Sequence, residues 1–539
     1  MIDGQTAWIF RIVAALLCAC FYFAATVKMV GVAQQGGYRA KKFLGWYRQK
    51  RNTYFSRMLF WSVLSLAATA MMIFVFFFLG ETLGMALGGV PFFGLAILFF
   101  WVDRRYALKV AAVKSGRWKR LCVGYFVAIA LVSFGLIYLC SLLGTTLAMV
   151  EGWLSAMRFL PLCFLPLLLP YILLVANAIL LPFENARNGK FVKRAGQVLD
   201  ETDLVKIGIV GSYGKTSVKN ILKTILAEKY SVVASPASYN TPIGVAKTVF
   251  SDGFGGAQVA IFEMGARQEG DIRELCGLVK PDYMVFTGVC AQHVETFGNE
   301  ENVFRAKCEG LFSTAKIVVC GKALEEKIRA TYPEQVEKCL FVGGAKDVEL
   351  MATETAFTLD LPDGELPVKT VLLGGGNVEN VALAARFAAV LGLTKEEIAR
   401  GVAKVQPVEH RLQLTKTNGV YLLDDAYNCN IKGAKMAVNA LCRFEGKKYL
   451  ITPGIVEAGV MQVDINRELG ELLAGAGIDL TVLVGETQAK IIADAYAKAG
   501  GNADGLTILP TLEQAVELLK GKLQAGDCVL FMNDLPDVV

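Results

Sequence analysis

Hydrophobic positions divide the chain into two regimes. Up to about residue 183 they form long unbroken runs, and from Asp203 onward they form short ones that alternate with amphipathic stretches. Five windows, 8–30, 58–79, 82–102, 121–148 and 159–182, are long and apolar enough to cross a hydrocarbon core, which takes about 20 residues of helix. The first lacks a basic leading region and a small-residue cleavage site, so it is expected to be a retained span and not a signal peptide. The last carries Pro161, Pro166, Pro170 and Pro182, and interior prolines remove helix hydrogen bonds, so it is expected to be kinked or broken. In the second regime "LVKIGIV", "SVVAS", "QVAIFEM", "YMVFTGV" and "KIVVCG" read as strands separated by helical stretches such as "SVKNILKTILAEKY", the alternation of parallel βαβ units.

Charge orients the apolar part. Lys28, Arg39, Lys41, Lys42, Arg48, Lys50, Arg51 and Arg57 follow the first window, and Arg104, Arg105, Lys109, Lys114, Arg117, Lys119 and Arg120 follow the third. The other connections offer only Glu81, Glu151 and Arg158. The positive-inside rule then places both basic loops in the cytoplasm, the N-terminus outside, and everything after "FENARNGKFVKR" inside, as expected for a multi-pass protein of a bacterial inner membrane. Tyr38, Phe43, Trp46, Tyr47 and Tyr54 are interleaved with the first set of cations. The pattern suits interfacial anchors first, and a site for an anionic lipid-linked substrate second.

Composition adds exclusions. A net charge of +6 with its cations between apolar segments gives no nucleic-acid-binding face. Thirteen cysteines without a C-x-x-C pair give no disulfide framework or zinc spacing, and two histidines, His293 and His410, rule out H-E-x-x-H chemistry.

The sharpest chemistry lies in "IGIVGSYGKTSVKN", Ile207 to Asn220. Gly211 and Gly214 let the backbone curl so that the N–H groups of Ser212 and its neighbours converge on phosphate oxygens at a helix N-terminus. Lys215 supplies a charge to the terminal phosphates, and the hydroxyls of Thr216 and Ser217 suit a magnesium ion and its surroundings. Only two residues separate the glycines, where the common phosphate loop has four.

That shortened loop resembles the one in the Mur ligases, ATP-dependent amide ligases of peptidoglycan synthesis. Further resemblances follow in order: "SYNTPIGVA", "EMGARQEGDI", "AQHVETFGNEENVFRAKCEG", "NVENVALAA", "HRLQL" and "LLDDAYNCN". Together they look most like the branch that adds D-alanyl-D-alanine to a UDP-muramoyl tripeptide, over about Asp203 to Gly485. The apolar windows imply a transmembrane domain at 1–200, and the resemblance implies a phosphate-loop α/β domain at 201–406 and a Rossmann-like domain at 407–539. It implies ATP and Mg2+, with Lys215 on the β- and γ-phosphates, Thr216 and Glu263 on magnesium, and His293 on a second magnesium or the acyl phosphate. Lys307 aligns with a lysine that some members carbamylate as a metal ligand, and whether it is carbamylated here stays open. Asn377 and Asn380 would contact base and ribose, Arg411 would reach the phosphates from the last domain, and Asp425, Tyr427 and Asn428 would close over the nucleoside.

Three departures bear on substrate. The apolar windows stand where family members have a UDP-binding domain, Gly376 replaces a histidine of the family's G-x-H-N, and "TPGIVEAG", Pro453 to Gly459, replaces G-D-M-x-E-L-G. The expectation is a membrane-embedded ligase that joins a UDP- or lipid-linked muropeptide to an amino acid or dipeptide, beside other cell-wall proteins. The alternative is an ATP-binding membrane scaffold or sensor built on an inactive ligase core. A transport ATPase is disfavoured by the loop spacing.

Overall fold

The computed structural model describes residues 4–48, 53–79, 90–104, 112–148, 160–251, 254–290, 297, 299–427, 430–456 and 461–533. The chain divides into two compact units between Arg187 and Asn188.

The described elements of the first unit are helices: α1 (Gly4–Gln35), α2 (Ala40–Tyr47), α3 (Thr53–Leu79), α4 (Val90–Arg104), α5 (Gly116–Ala148) and most of α6 (Leu165–Glu201). Three stretches among the described residues, Arg11–Gln35, Gly116–Leu143 and Leu160–Glu201, are long and apolar enough to cross a membrane, and a further apolar stretch, Arg57–Met71, is shorter. Their inward faces close on one another: Ala19, Tyr22, Ala25 and Met29 of α1 share a core with Tyr125, Ile129, Leu169 and Leu173. Their outward faces are apolar too, since Val123, Leu131, Val175 and Ile179 are exposed. Some inward polar groups are paired, as in Thr26 Oγ1 to Tyr125 OH at 2.8 Å and the bidentate Arg120–Glu184 pair, whereas the hydroxyls of Ser62 and Ser133 are buried without a hydrogen-bond partner among the described residues.

The expected break at the prolines is absent. Helix α6 runs through Pro170 and Pro182, while Pro161 lies in a 3-10 turn before it and Pro166 in its first turn, where no N–H is needed. Each interior proline removes one backbone bond, and the surrounding turns still hold the helix.

In the second unit, the described residues of the central part form a six-stranded parallel sheet in the order β2-β3-β1-β4-β5-β6. Its strands are β1 (Val205–Val210), β2 (Val232–Ala234), β3 (Val259–Glu263), β4 (Tyr283–Phe286), β5 (Ile317–Gly321) and β6 (Cys339–Val342). β1 pairs with β3 on one side and β4 on the other, so successive connections diverge from its end, the place where open α/β sheets form a ligand crevice. The helix α7 (Lys215–Leu226) follows β1 and buries Val218, Ile221, Leu222 and Ile225 against the sheet. It is followed in turn by α8 (Pro242–Val249), α9 (Asp271–Val279) and, after a small antiparallel sheet of β7 (Lys346–Leu350), β8 (Thr355–Leu361) and β9 (Gly364–Thr370), by α10 (Gly375–Val390). The last turns of α6 belong to this unit, with Ala195 and Leu199 in the core that holds Leu275 and Val279.

The remainder forms a second sheet, β10-β11-β15-β12-β13-β14, from β10 (Gln413–Thr417), β11 (Val420–Asp425), β12 (Lys448–Thr452), β13 (Leu480–Val484), β14 (Leu506–Leu509) and β15 (Cys528–Met532). All its pairings are parallel except β10 with β11, and α11 (Ile431–Leu441) packs on it.

Candidate nucleotide site

The phosphate loop leaves β1 and folds onto the end of β4. Gly211 and Gly214 adopt φ of +152° and +76°. A Cβ on Gly211 would lie 2.1 Å from Thr287 Oγ1, and one on Gly214 would lie 2.7 Å from Asn380 Oδ1, so neither position admits a side chain. Lys215 opens α7 and turns its Nζ back onto the carbonyls of Gly211 and Ser212, at 2.7 and 3.3 Å. Enclosure lowers the affinity of its amine for a proton, and nearby Glu263 partly offsets this.

Beneath the loop lies a buried acid with three partners. Thr216 Oγ1 donates to Glu263 Oε2 at 2.9 Å, Lys219 Nζ stands 3.2 Å from the same oxygen, and Asn240 Nδ2 donates to Oε1 at 3.3 Å. Lys219 also bonds the Ala237 carbonyl. Glu263 and Lys219 side chains are only 2% and 1% exposed, so the pair exists because each charge compensates the other's loss of water.

The opposite wall comes from the last domain. Arg411 sits between two residues with left-handed backbone, His410 (φ +60°) and Leu412 (φ +50°). Non-glycine residues hold such angles only where the surroundings impose them, and here two aspartates at the end of β11 do so. Asp424 Oδ2 meets His410 Nδ1 at 2.7 Å, and Asp425 Oδ1 accepts the Leu412 N–H at 3.0 Å. The corner aims Arg411 across the cavity, with Nη2 3.4 Å from Thr216 Oγ1 and the guanidinium 4.5 Å from the centre of the Tyr427 ring. Tyr427 OH in turn meets Ser238 Oγ at 3.2 Å. Protein surrounds most of Asp425, and this loss of solvation pushes its carboxyl up to about 7 despite Arg411.

Between the walls is a cavity of about 240 Å³, lined by Ser212 to Ser217, Glu263, Asn377, Asn380, Arg411, Asp425 and Tyr427 among others. Asn377 and Asn380 sit in the first turns of α10, with Asn380 Nδ2 3.3 Å from Asn377 Oδ1. Where the sequence has Gly376, the space is taken by Met436, whose Sδ would lie 2.4 Å from a Cβ at that position. Lys432 caps the loop from α11, with Nζ 3.2 Å from Tyr213 OH and 4.5 Å above its ring.

Most of the residues expected from the sequence therefore converge. Lys307 does not reach the cavity wall. It is 3% exposed behind it, 3.4 Å from the Ala266 carbonyl, and burial with the charge of Lys215 lowers its amine to about 7. His293 and Asn428 lie outside the described residues. Sequence reasoning missed Lys219, Asn240, Tyr213, Lys432 and Met436. For Lys219 a signal existed: it interrupts the otherwise apolar face of α7, four residues after Lys215 and next to buried Val218.

The donors fit magnesium. Among the described residues no three His, Cys, Asp or Glu side chains cluster as a metal cage. Magnesium asks for less: one or two hard oxygens, waters and substrate phosphates. The adjoining Thr216 hydroxyl and Glu263 carboxylate on the cavity wall are such oxygens.

A phosphate loop on an open α/β sheet, closed by an arginine from a second α/β domain, defines a two-domain protein of nucleotide-driven group transfer. Comparison with known proteins makes this specific. Residues 209–388 match the Mur ligase middle domain and residues 410–534 the Mur ligase glutamate ligase domain. The chain belongs to the Mur ligase family, whose homologues are ATP-dependent ligases. It is 27% identical to the UDP-N-acetylmuramoyl-tripeptide--D-alanyl-D-alanine ligase of Bacillus subtilis over 344 residues, 62% of this chain and 74% of the relative. Against the Escherichia coli ligase of the same name it is 26% identical over 336 residues, 60% and 74% of the two chains. The crystal structure of MurF ligase from Thermotoga maritima in complex with ADP is similar at a TM-score of 0.58 and 25% identity, covering 65% of this chain and 81% of that one. Both family matches lie within the second unit.

Proposed function

We propose that the protein is a membrane-embedded, ATP- and magnesium-dependent amide ligase of peptidoglycan precursor synthesis, with its catalytic unit on the cytoplasmic face of a bacterial inner membrane. The observation that carries the reading is the convergence of Lys215, Thr216–Glu263 and Arg411 from two domains on one cavity.

The N-terminus of α7 and the loop N–H groups face the position of a triphosphate. Lys215 exchanges its loop carbonyls for phosphate oxygens, and Arg411 brings a second cation from across the cavity. A carboxylate oxygen of the acyl substrate attacks the γ-phosphorus, the bond to the β-phosphate oxygen breaks, and ADP leaves with the electron pair. An amine then attacks the acyl carbon, phosphate departs and the amine nitrogen gives up a proton, leaving an amide. Charge gathers on phosphoryl oxygens in the first step, so fixed cations supply most of the acceleration. Magnesium held by Thr216 and Glu263 would neutralise phosphate charge. Lys307, with its proton affinity lowered to about 7, has much of its amine uncharged at neutral pH, the form that takes up carbon dioxide as a carbamate.

For the acyl substrate we favour a lipid-linked muropeptide over a UDP-linked one. The apolar outward faces of the first unit support a protein held in the bilayer, and capture in that plane raises the local concentration of a lipid substrate. The amine is then an amino acid or dipeptide, as the D-alanyl-D-alanine in the relatives' names suggests. The test is purified protein in lipid nanodiscs with ATP, magnesium, UDP- and lipid-linked muropeptides and a panel of amines, read by phosphate release and product mass. Release and a new amide that both vanish in Lys215→Ala establish the ligase. ATP binding without turnover in every combination overturns it.

A further inference from the structure

The catalytic unit exposes a second feature that the ligase chemistry does not use: an aromatic and basic face that starts on the tail of α6 and ends at the lip of the nucleotide cavity. On α8, Ile243, Lys247 and Phe250 fall at i, i+4 and i+7 and are exposed, while Val245, Ala246 and Val249 on the other side are buried. Phe250, 41% exposed, meets Phe191 of α6 at 5.2 Å between ring centres, and Arg194 lies 5.7 Å above the Phe250 ring. Lys247 lies 4.9 Å above the ring of Tyr239, which stands between Ser238 and Asn240 of the cavity lining. Lys190 and Lys193, both exposed, add charge beside Phe191. Four outward-facing apolar or aromatic side chains so close together are unusual on a water-facing α/β unit, and their interleaving with cations matches a membrane interface.

We propose that this face is a contact for anionic phospholipid headgroups, which brings the mouth of the nucleotide cavity to the membrane surface. The proposal rests on the membrane reading of the chain and deepens it: a carboxylate carried on a lipid would reach Tyr239 and Asn240 without leaving the interface. Charge complementarity selects the occupant, because the cations on this face, Lys190, Lys193, Arg194 and Lys247, are matched by no carboxylate in the contacts described.

The test uses the full chain in nanodiscs of phosphatidylglycerol, with a small fluorescent amino acid placed singly at Leu131, Ile243, Phe250 or Val348, and quenchers attached to either lipid headgroups or acyl tails. The expected pattern is tail quenching at 131, headgroup quenching at 243 and 250, and neither at 348, which is exposed on the distant small sheet. If 131 is quenched but 243 and 250 behave like 348, the surface contact is wrong while the membrane reading stands. If 131 is not quenched either, both fall. A second arm compares phosphatidylglycerol with phosphatidylcholine nanodiscs. Headgroup quenching at 250 should weaken in the neutral lipid, and in phosphatidylglycerol it should weaken with Lys190→Glu and Lys247→Glu, by about fivefold in surface affinity for each charge. Quenching that ignores both lipid charge and these substitutions overturns the anionic assignment.

Discussion

On the central-domain wall of the nucleotide cavity, Glu263 and Lys219 are almost fully buried, and among the described residues Glu263 is hydrogen-bonded by Thr216, Ser235, Asn240 and Lys219. On the facing wall, Arg411 stands on a corner of two left-handed residues, and its ring partner Tyr427 is 46% exposed. The first wall costs energy to break and is complete in itself. The second is held by surface contacts across the cavity, which suits the part that must open for substrates and close for chemistry. Substitutions in the buried Glu263–Lys219 pair and at Arg411 should therefore fail differently: stability at the first, turnover at the second.

The largest effect is expected from Glu263→Gln. It strands the Lys219 ammonium in the interior, and removing one partner of a buried pair costs about 3–5 kcal/mol. Chemical denaturation should show the loss, and Glu263→Gln combined with Lys219→Met should recover much of it. Equal stability for the single and double variants would mean that the pair is not the wall's support. Next comes Lys215→Ala. Among the described residues its ammonium bonds the loop's own carbonyls, so unfolding should shift little, while ATP-driven phosphate release falls about 100- to 1,000-fold.

Arg411→Lys sharpens the comparison from the other side. The charge survives, but the planar group that stacks on Tyr427 while reaching Thr216 does not, so kcat should fall about 10- to 100-fold with stability within about 0.5 kcal/mol of the parent. A loss of stability like that of Glu263→Gln would erase the distinction between the walls.

The pH dependence of the second wall follows from Asp425, whose proton affinity in the folded protein is raised from 3.8 to about 7. The folded state keeps this proton where the unfolded chain has lost it. Its contribution is thus complete below pH 3.8 and disappears as pH rises to about 7, with a slope under about 1.4 kcal/mol per pH unit because the carboxyl is partly open to the cavity. Asp425→Asn should flatten that part of the stability profile, which thermal melts from pH 3.8 to about 7 would reveal.

How legible each wall is in the sequence follows from the same contrast. The loop, Thr216 and Glu263 are local: a glycine turn after one strand and an acid at the end of another, both set by β periodicity and backbone sterics. Their convergence follows from the parallel order that places β3 beside β1. Lys219 was visible only as a cation on an apolar face, because its meaning depends on a carboxylate 44 residues away. Met436 was invisible: only the packing of α11 against the start of α10 shows that it fills the space Gly376 leaves. In the first unit, hydropathy marks the apolar stretches, but the prolines do not break α6, since helix continuity there is decided by the turns around each proline.

The smallest expected effect concerns the contact between Tyr213 of the loop and Lys432 of α11, a point where the two walls touch. Tyr213 is fixed from below, with its hydroxyl 2.4 Å from the place a Cβ on Gly288 would occupy, and Lys432 approaches it from the other domain by a hydrogen bond and a cation–π contact. Tyr213→Phe keeps the ring and removes the hydroxyl, whereas Lys432→Met removes both contributions. An exposed cation–π contact contributes about 0.5–1 kcal/mol, so Lys432→Met should raise the KM for ATP about two- to fivefold, and Tyr213→Phe should do so less. Because the contact joins the domains without touching the buried Glu263–Lys219 pair, neither change should move the unfolding midpoint. If KM stays constant in both variants, closure does not run through the loop, and Arg411 with Tyr427 and Ser238 is left as the bridge between the walls.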